Sequence, residues 1–270
     1  MRPTRNREFK MIESLSKFIN ERVTITDYKS SIIVPFGPVY SGKTMMLNRL
    51  LKYKYNHNFV VKLDRMFISS PDYLKTCDYY ERFYKDGIPY ATYMLPVLGK
   101  LIDSKGMCQY QFLDMSGEFL FDYNNPKAPS LLQELILCPN KKIWLILIEL
   151  DRDIPYGVKI EYVKRIAYLK QHISSNDKVI IVANKIDEID VLQTNVQGTV
   201  NLRIVKKMID NEYPGLFEIF KNRGLKLLWK PYNILVPFSC GEFSFMPDGT
   251  LNYCTGNKIY PQLLWNAIRS

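Results

Sequence analysis

Histidine is nearly missing from this chain, which holds only His57 and His172, far apart. Cysteine is sparse too. The five thiols (Cys77, Cys108, Cys138, Cys240, Cys254) are odd in number, scattered, and never in a C-x-x-C pair. That pattern argues against a zinc site and against a disulfide framework, and it suits reduced thiols in a cytoplasm. Long apolar runs are lacking as well. The longest, 143–148, falls far short of the roughly 20 residues a membrane helix needs. The opening M-R-P-T-R-N-R has no apolar stretch behind it, so no secretory signal is expected. No internal repeat, low-complexity tract or Gly/Ser linker is visible. Acidic residues are outnumbered, 27 Asp and Glu against 37 Lys and Arg, leaving a net charge of +10. A basic balance admits nucleic acid, an anionic membrane surface or an acidic partner. The charge is spread in small clusters, such as Arg2, Arg5 and Arg7 or Lys221, Arg223 and Lys226, which favours a solvated surface. Salt-sensitive binding of nucleic acid would overturn that preference.

What is present fits one large α/β domain with embellishments: 270 residues, 47% of them apolar. Helical spacing of Phe9, Ile12, Leu15 and Phe18 predicts an N-terminal helix over 8–22, within an extension of residues 1–28. The main domain is expected over 29–270. A strand at 31–36 enters a glycine-bearing loop, and a helix at 44–53 follows with Met46, Leu47, Leu50 and Leu51 as its buried stripe. Residues 54–90 read as an insertion, with a short strand at 59–63 and a helix at 72–85. A hairpin turns at Asp103-Ser104-Lys105-Gly106 between strands at 95–102 and 107–113. Continuous apolar runs at 142–149 and 178–183 are the mark of parallel strands covered on both faces. A helix at 160–172 lies between them, with Ile160, Val163, Ile166 and Ala167 inward. Helices are expected at 201–211, 214–222 and 261–268, a core strand at 233–238 and a small hairpin at 244–253. The alternation predicts a three-layer α/β fold, a mostly parallel sheet with one antiparallel strand pair and helices on both faces. Ligands then bind at the carboxyl ends of the strands.

Three segments carry the chemistry. Gly37-x-x-x-x-Gly42-Lys43-Thr44 stands between a strand and a helix, the context a phosphate loop requires. Loop and helix N–H groups face phosphate there, and the helix dipole favours negative charge. Lys43 can reach the β- and γ-phosphates, and the Thr44 hydroxyl can meet Mg²⁺. Ser41 is part of the loop, and Tyr40 either shields the phosphates or packs on the surface. Asp114-Met115-Ser116-Gly117 ends a strand. A carboxylate there can hold Mg²⁺ through water, and the Gly117 N–H can bond a terminal phosphate. Asn184-Lys185-Ile186-Asp187 follows another strand. The Asp187 carboxylate can accept from guanine N1–H and the 2-amino group, a donor pair that adenine lacks. Lys185 can lie along the base with its stem, and Asn184 can brace either the phosphate loop or the base edge. Ser239-Cys240-Gly241 is placed where a backbone N–H meets guanine O6.

On these segments the chain resembles the P-loop GTPases of the Ras-like, translation-factor-related class, over about 31–241, and looks most like bacterial small GTPases. The resemblance implies GTP and GDP as ligands, Mg²⁺ as cofactor and hydrolysis of GTP. It makes 37–44 the phosphate loop, 114–117 the second switch, 184–187 the guanine reader and Ser239-Cys240 its backbone companion. It also calls for a first-switch threonine as metal ligand. Thr92 is the candidate and Thr76 the alternative. Asp86-Gly87-Ile88-Pro89 would then be a flexible lead into that switch.

One departure stands out. Where many relatives of that class carry a glutamine after the second motif, this chain has Glu118. A carboxylate about 5 Å from a phosphate charge is repelled by roughly 3 kcal/mol at an effective dielectric near 20. Glu118 then points away, takes a proton, or leaves hydrolysis slow; it can equally serve as a helix N-terminal acid. No arginine is securely placed as a finger, with Arg65 and Arg82 as candidates and a partner protein as another source. The expectation is a cytoplasmic, Mg²⁺-dependent GTPase of slow intrinsic turnover, with an effector surface near the switches. Its rivals are a GTP-binding scaffold that scarcely hydrolyses, a P-loop ATPase or kinase, and an RNA-associated factor.

Overall fold

The computed structural model describes residues 25, 27–38, 41–55, 57–64, 71–86, 96–115, 135–150, 153–189, 200–221, 233–245, 251–254 and 256–270. The helix expected at 8–22 lies outside them, as do Tyr40, Arg65, Thr92, Gly117 and Glu118. In chain order the elements are β1 (Ser31–Phe36), α1 (Lys43–Tyr55), β2 (Val60–Leu63), α2 (Pro71–Asp86), β3 (Val97–Ile102) and β4 (Cys108–Asp114). Then come β5 (Lys142–Glu149), α3 (Tyr156–His172), β6 (Lys178–Asn184), α4 (Leu202–Glu212) and the single turn α5 (Leu216–Ile219). The chain ends with β7 (Asn233–Pro237), the hairpin β8 (Glu242–Phe245) and β9 (Leu251–Cys254), and α6 (Ile259–Arg269).

Seven strands form one sheet in the order β2-β3-β4-β1-β5-β6-β7. β1 pairs in parallel with β4 and β5, and the parallel run continues through β6 to β7. Only β3 runs against its neighbours. It forms the expected antiparallel hairpin with β4 and a second antiparallel pairing with β2 at the sheet edge. The hairpin tip closes as its sequence implies: Asp103 Oδ1 accepts from the N–H groups of Lys105 and Met107 at 2.9 Å each, and Gly106 takes a φ of +78°.

Strand periodicity divides the core in two. Ile32, Val34 and Phe36 of β1 and Trp144, Ile146 and Ile148 of β5 pack against Tyr162, Ile166 and Leu169 of α3 and Val205 and Ile209 of α4. Ile33, Leu145, Leu147, Ile180 and Val182 face the other way, onto Met46, Leu47, Leu50 and Leu51 of α1, Tyr73, Cys77 and Tyr80 of α2, and Leu264, Trp265 and Ile268 of α6. Helices therefore cover both faces. Each such side chain contributes about 1.5–3 kcal/mol by leaving water.

Two helices differ from expectation. α3 starts four residues earlier than the apolar period suggests, at Tyr156. Its buried positions are Lys159, Tyr162, Ile166 and Leu169; of the expected face Ile166 is buried and Val163 packs partly buried on the same core, while Ile160 and Ala167 are half-buried. The long side chains bury their stems and satisfy their tips: Tyr162 donates to Phe36 O at 3.1 Å and Leu147 O at 2.8 Å, and the Lys159 ammonium pairs with Glu212. The helix expected at 214–222 is the short α5, opened by Gly215 at φ +83°.

Candidate nucleotide-binding site

The site is assembled where β1, β4, β6 and β7 end. β1 delivers Gly37. A Cβ at that position would meet Ser41 Oγ at 2.6 Å and Leu147 Cβ at 3.2 Å, so any larger residue would force the Ser41 side chain to move. Gly42 takes φ +79°, and a Cβ there would stand 2.6 Å from Asn184 Nδ2. The first helical bond of α1 runs from Met46 N to Gly42 O at 2.8 Å, so the N–H groups of Lys43, Thr44 and Met45 precede the ladder. These are the donors a phosphate group uses at a helix N-terminus. Lys43 is buried and curls over the loop, donating from Nζ to Gly37 O at 3.0 Å and Pro38 O at 2.6 Å. Ser41 Oγ is buried without a hydrogen-bond partner. A phosphate oxygen would compensate that desolvated hydroxyl.

Thr44 and Asp114, 70 residues apart, meet here. Thr44 Oγ1 donates to Asp114 Oδ2 at 2.7 Å. Tyr80, reaching across from α2, donates its phenol hydroxyl to the same oxygen. Asp114 Oδ1 is buried with no hydrogen-bond partner. Burial pushes the Asp114 carboxyl up, against the Tyr80 and Thr44 hydrogen bonds that hold it down. The Tyr80 hydroxyl is raised well above its ordinary value, first by burial and then by the Asp114 charge. The pair of oxygens from Thr44 and Asp114 fits Mg²⁺, a hard cation usually held by one or two protein oxygens plus phosphate. The orphaned Oδ1 is a ready acceptor for a metal-bound water. The threonine proton, directed at Asp114, leaves the hydroxyl lone pairs for the cation. Among the described residues no group of three or more His, Cys, Asp and Glu side chains gathers to hold a metal unaided.

The other end of the site is tied to the first. Asn184 Nδ2 donates to Ser41 O at 2.8 Å, so this side chain braces the 37–44 loop. Cys240 Sγ lies 3.6 Å from Asn184 Oδ1, which joins the strand ends of β6 and β7. Lys185 sits in the left-handed region, φ 57° and ψ 35°, and its ammonium pairs with Glu149 Oε2 at 2.9 Å. That ion pair holds the Lys185 stem along one course. Oδ1 of Asp187 is buried, and the charge of this carboxylate reaches Arg49. Thr76, by contrast, lies on the buried face of α2 one turn before Tyr80.

Four contributors escaped the sequence. Arg49 is buried on α1, donating to Ser239 O at 2.5 Å and Asn257 O at 2.6 Å. Tyr253 of β9 donates to Cys240 O at 2.5 Å. Both carbonyls of the Ser239-Cys240 pair are thus held. Because N–H opposes C=O in a trans peptide, the Cys240 N–H faces away from Arg49. Gly241 N donates to Ser239 Oγ at 3.1 Å. Glu149 and Tyr80 complete the set. A charged residue set among apolar neighbours was the available signal for Arg49 and for Glu149, at the end of an otherwise apolar strand.

The strand order β3-β4-β1-β5-β6-β7, the phosphate loop between β1 and α1, and the carboxylate ending β4 together decide the architecture. It is a three-layer α/β fold with a glycine-bearing loop between its central strand and first helix. Similar solved structures include a candidate nucleolar GTP-binding protein 1 from Plasmodium falciparum, 14% identical, with 81% of each chain covered and a TM-score of 0.42. Toc33 from Arabidopsis thaliana in complex with Mg²⁺ and GMPPNP is 12% identical over 98% of this chain and 92% of its own, TM-score 0.44. Roco2 of Methanosarcina barkeri, bound to GDP, is 14% identical over 79% of this chain and 44% of its own, TM-score 0.33. No protein-family profile and no curated protein matches the chain. Among the described residues no helix is long and apolar enough to cross a membrane.

Proposed function

We propose that this chain binds GTP and GDP with Mg²⁺ and hydrolyses GTP slowly, acting as a switch in the cytoplasm. The observation that carries the proposal is the side-chain bracing between the segments. Thr44 bonds Asp114 at 2.7 Å and Asn184 bonds the Ser41 carbonyl at 2.8 Å, which joins the three segments read as phosphate, metal and base subsites. Gly37, Ser41, Gly42, Lys43 and Thr44 would hold the phosphates. Asn184, Lys185, Asp187, Ser239 and Cys240 would hold the guanosine, with Asp187 accepting from the base and rejecting adenine. Thr44 and Asp114, with Thr92 as the expected third ligand, would hold Mg²⁺. Bound there, the cation would neutralise charge on the β- and γ-phosphates. Lys43 and the loop N–H groups would stabilise the charge that develops as water attacks the γ-phosphate in line. The Gly117 N–H would bond the γ-phosphate and release it after hydrolysis, changing a surface that an effector reads.

Glu118, where many relatives carry glutamine, motivates a second reading, a GTP-responsive scaffold with little hydrolysis, because an ionised acid facing the phosphates would repel their charge. One experiment tests both. The purified chain is titrated with fluorescent mant-GTP and mant-ATP, then followed through a single turnover of GTP. Guanine preference with a slow but Mg²⁺-dependent turnover supports the switch. Guanine preference without turnover supports the scaffold. Equal affinity for the two purines sinks both.

A further inference from the structure

Helix α2 stands between β2 and β3, outside the elements that carry the three nucleotide motifs. Even so, one of its side chains reaches the metal-ligand pair. Tyr80 is 5% exposed, and its ring stacks on Phe112 of β4 with centroids 6.5 Å apart and planes at 23°. Phe112 lies flat across Gly99 of β3, where a Cβ would come within 2.2 Å of its ring. The stack aims the Tyr80 hydroxyl at Asp114 Oδ2, the oxygen that already accepts from Thr44. Cys77 and Tyr73, one and two turns back, bury the same helix face against Met46, Leu47 and Leu50 of α1. α2 is thus docked on the helix that begins at the phosphate loop and on the strand that ends at the metal ligand.

We propose that Tyr80 is a positioning residue that holds Asp114 for Mg²⁺ and couples helix α2 to occupancy of the metal site. The proposal rests on the nucleotide-binding reading above. A buried carboxylate with one oxygen fixed by two hydroxyl donors presents its other oxygen, Oδ1, in one orientation. Partners of this kind set the direction of a metal ligand, and losing one weakens metal binding about 10–100-fold. The coupling is reciprocal: whatever Tyr80 lends to the cation, the cation returns to α2 as added order.

The test uses Tyr80→Phe in the full chain, which keeps the ring stack and removes only the hydroxyl. Release of mant-GDP is followed in EDTA and across a Mg²⁺ titration. In EDTA the two proteins are expected to release at the same rate. The Mg²⁺ concentration giving half-maximal slowing is expected to rise about tenfold or more in the variant. Hydrogen exchange of residues 73–80 in the wild type supplies a second readout that needs no variant. It is expected to slow when Mg²⁺ is added to the GDP-bound protein. An unchanged Mg²⁺ midpoint, a lower midpoint, or exchange in α2 indifferent to Mg²⁺ would overturn the proposal while leaving nucleotide binding standing. A wild type that binds no mant-GDP even with Mg²⁺ would remove the nucleotide reading, and this inference with it.

Discussion

Asn184 Nδ2 lies 2.8 Å from the carbonyl oxygen of Ser41, and the same nitrogen stands where a Cβ on Gly42 would have to be. Asn184, which opens the segment proposed to read the base, is therefore packed into the 37–44 loop proposed to hold phosphate. Gly42→Ala meets two obstacles. Its backbone would need φ near +79°, and its methyl group would displace the Asn184 amide. A left-handed non-glycine costs of order 1–3 kcal/mol before any clash is counted. The variant is expected to lose stability by at least about 1 kcal/mol in urea unfolding, and to lose binding of mant-GTP. Unchanged nucleotide affinity would separate Asn184 from the loop's function.

Asp187→Ala tests the base end alone. Its carboxylate would accept two hydrogen bonds from guanine, each worth about 1.5–3 kcal/mol when the acceptor is charged. Losing the pair is expected to weaken GTP by 100-fold or more. ATP, which makes no such pair, should bind as weakly as before. The check is competition of both nucleotides against mant-GDP. Equal losses for the two would mean that Asp187 shapes the loop without selecting the purine.

The parallel strands were the most legible part of the fold. β1 and β5 fall on the residues their apolar runs mark, because strands buried on both faces leave no polar alternation to misread. α3 was misread at its first turn and on its inward face for the opposite reason. Lys159 and Tyr162 count as polar in a periodicity, yet their stems pack and their tips find Glu212 and main-chain carbonyls. In the site, backbone-defined positions such as Gly37, Gly42 and Thr44 were visible because the turn demands those residue types. Tyr80 and Tyr253 were not. In a chain with 19 tyrosines, one more carries no signal until folding brings its hydroxyl to Asp114 or Cys240.

Arg49 offers a sharper test of the hidden support. Its guanidinium is buried on α1 and spans Ser239 O and Asn257 O, fixing both the loop after β7 and the lead into α6. Burial lowers its pKa while neighbouring negative charge, Asp187 included, opposes the shift. Arg49→Met keeps much of the volume and leaves two carbonyls without their donor. It is expected to cost about 2 kcal/mol of stability, part of the loss being offset by relief of a buried charge. Arg49→Lys should not restore it, since one ammonium cannot reproduce a planar fork across two acceptors. The loss should fall on guanine preference more than on Mg²⁺ affinity, because Arg49 touches the base-side loop and not Asp114. Urea unfolding and GTP-against-ATP competition measure the two effects separately.

The last prediction concerns acid. Asp27 precedes β1 and accepts from Ser30 Oγ at 2.6 Å and from the N–H groups of Lys29 and Ser30 at 2.9 and 3.2 Å. The Ser30 hydroxyl is the largest influence, and with the two amides it holds the Asp27 carboxyl down at about 2, against a smaller push upward from burial. The Asp27 carbonyl in turn accepts from Gln111 Nε2 at 2.8 Å and Asn140 Nδ2 at 2.7 Å, so this turn links the N-terminal ends of β1, β4 and β5. A carboxylate whose folded value is depressed contributes stability that is fully present above its unfolded value. That contribution drains away as pH falls toward the folded value. For Asp27 the window runs from about 4 down to about 2. Asp27→Asn removes the titrating charge. Its urea midpoint should lie below that of the wild type above pH 4 and approach it as pH falls to 2. A gap between the two proteins that stays constant through that window would show that the Asp27 charge contributes nothing to the turn.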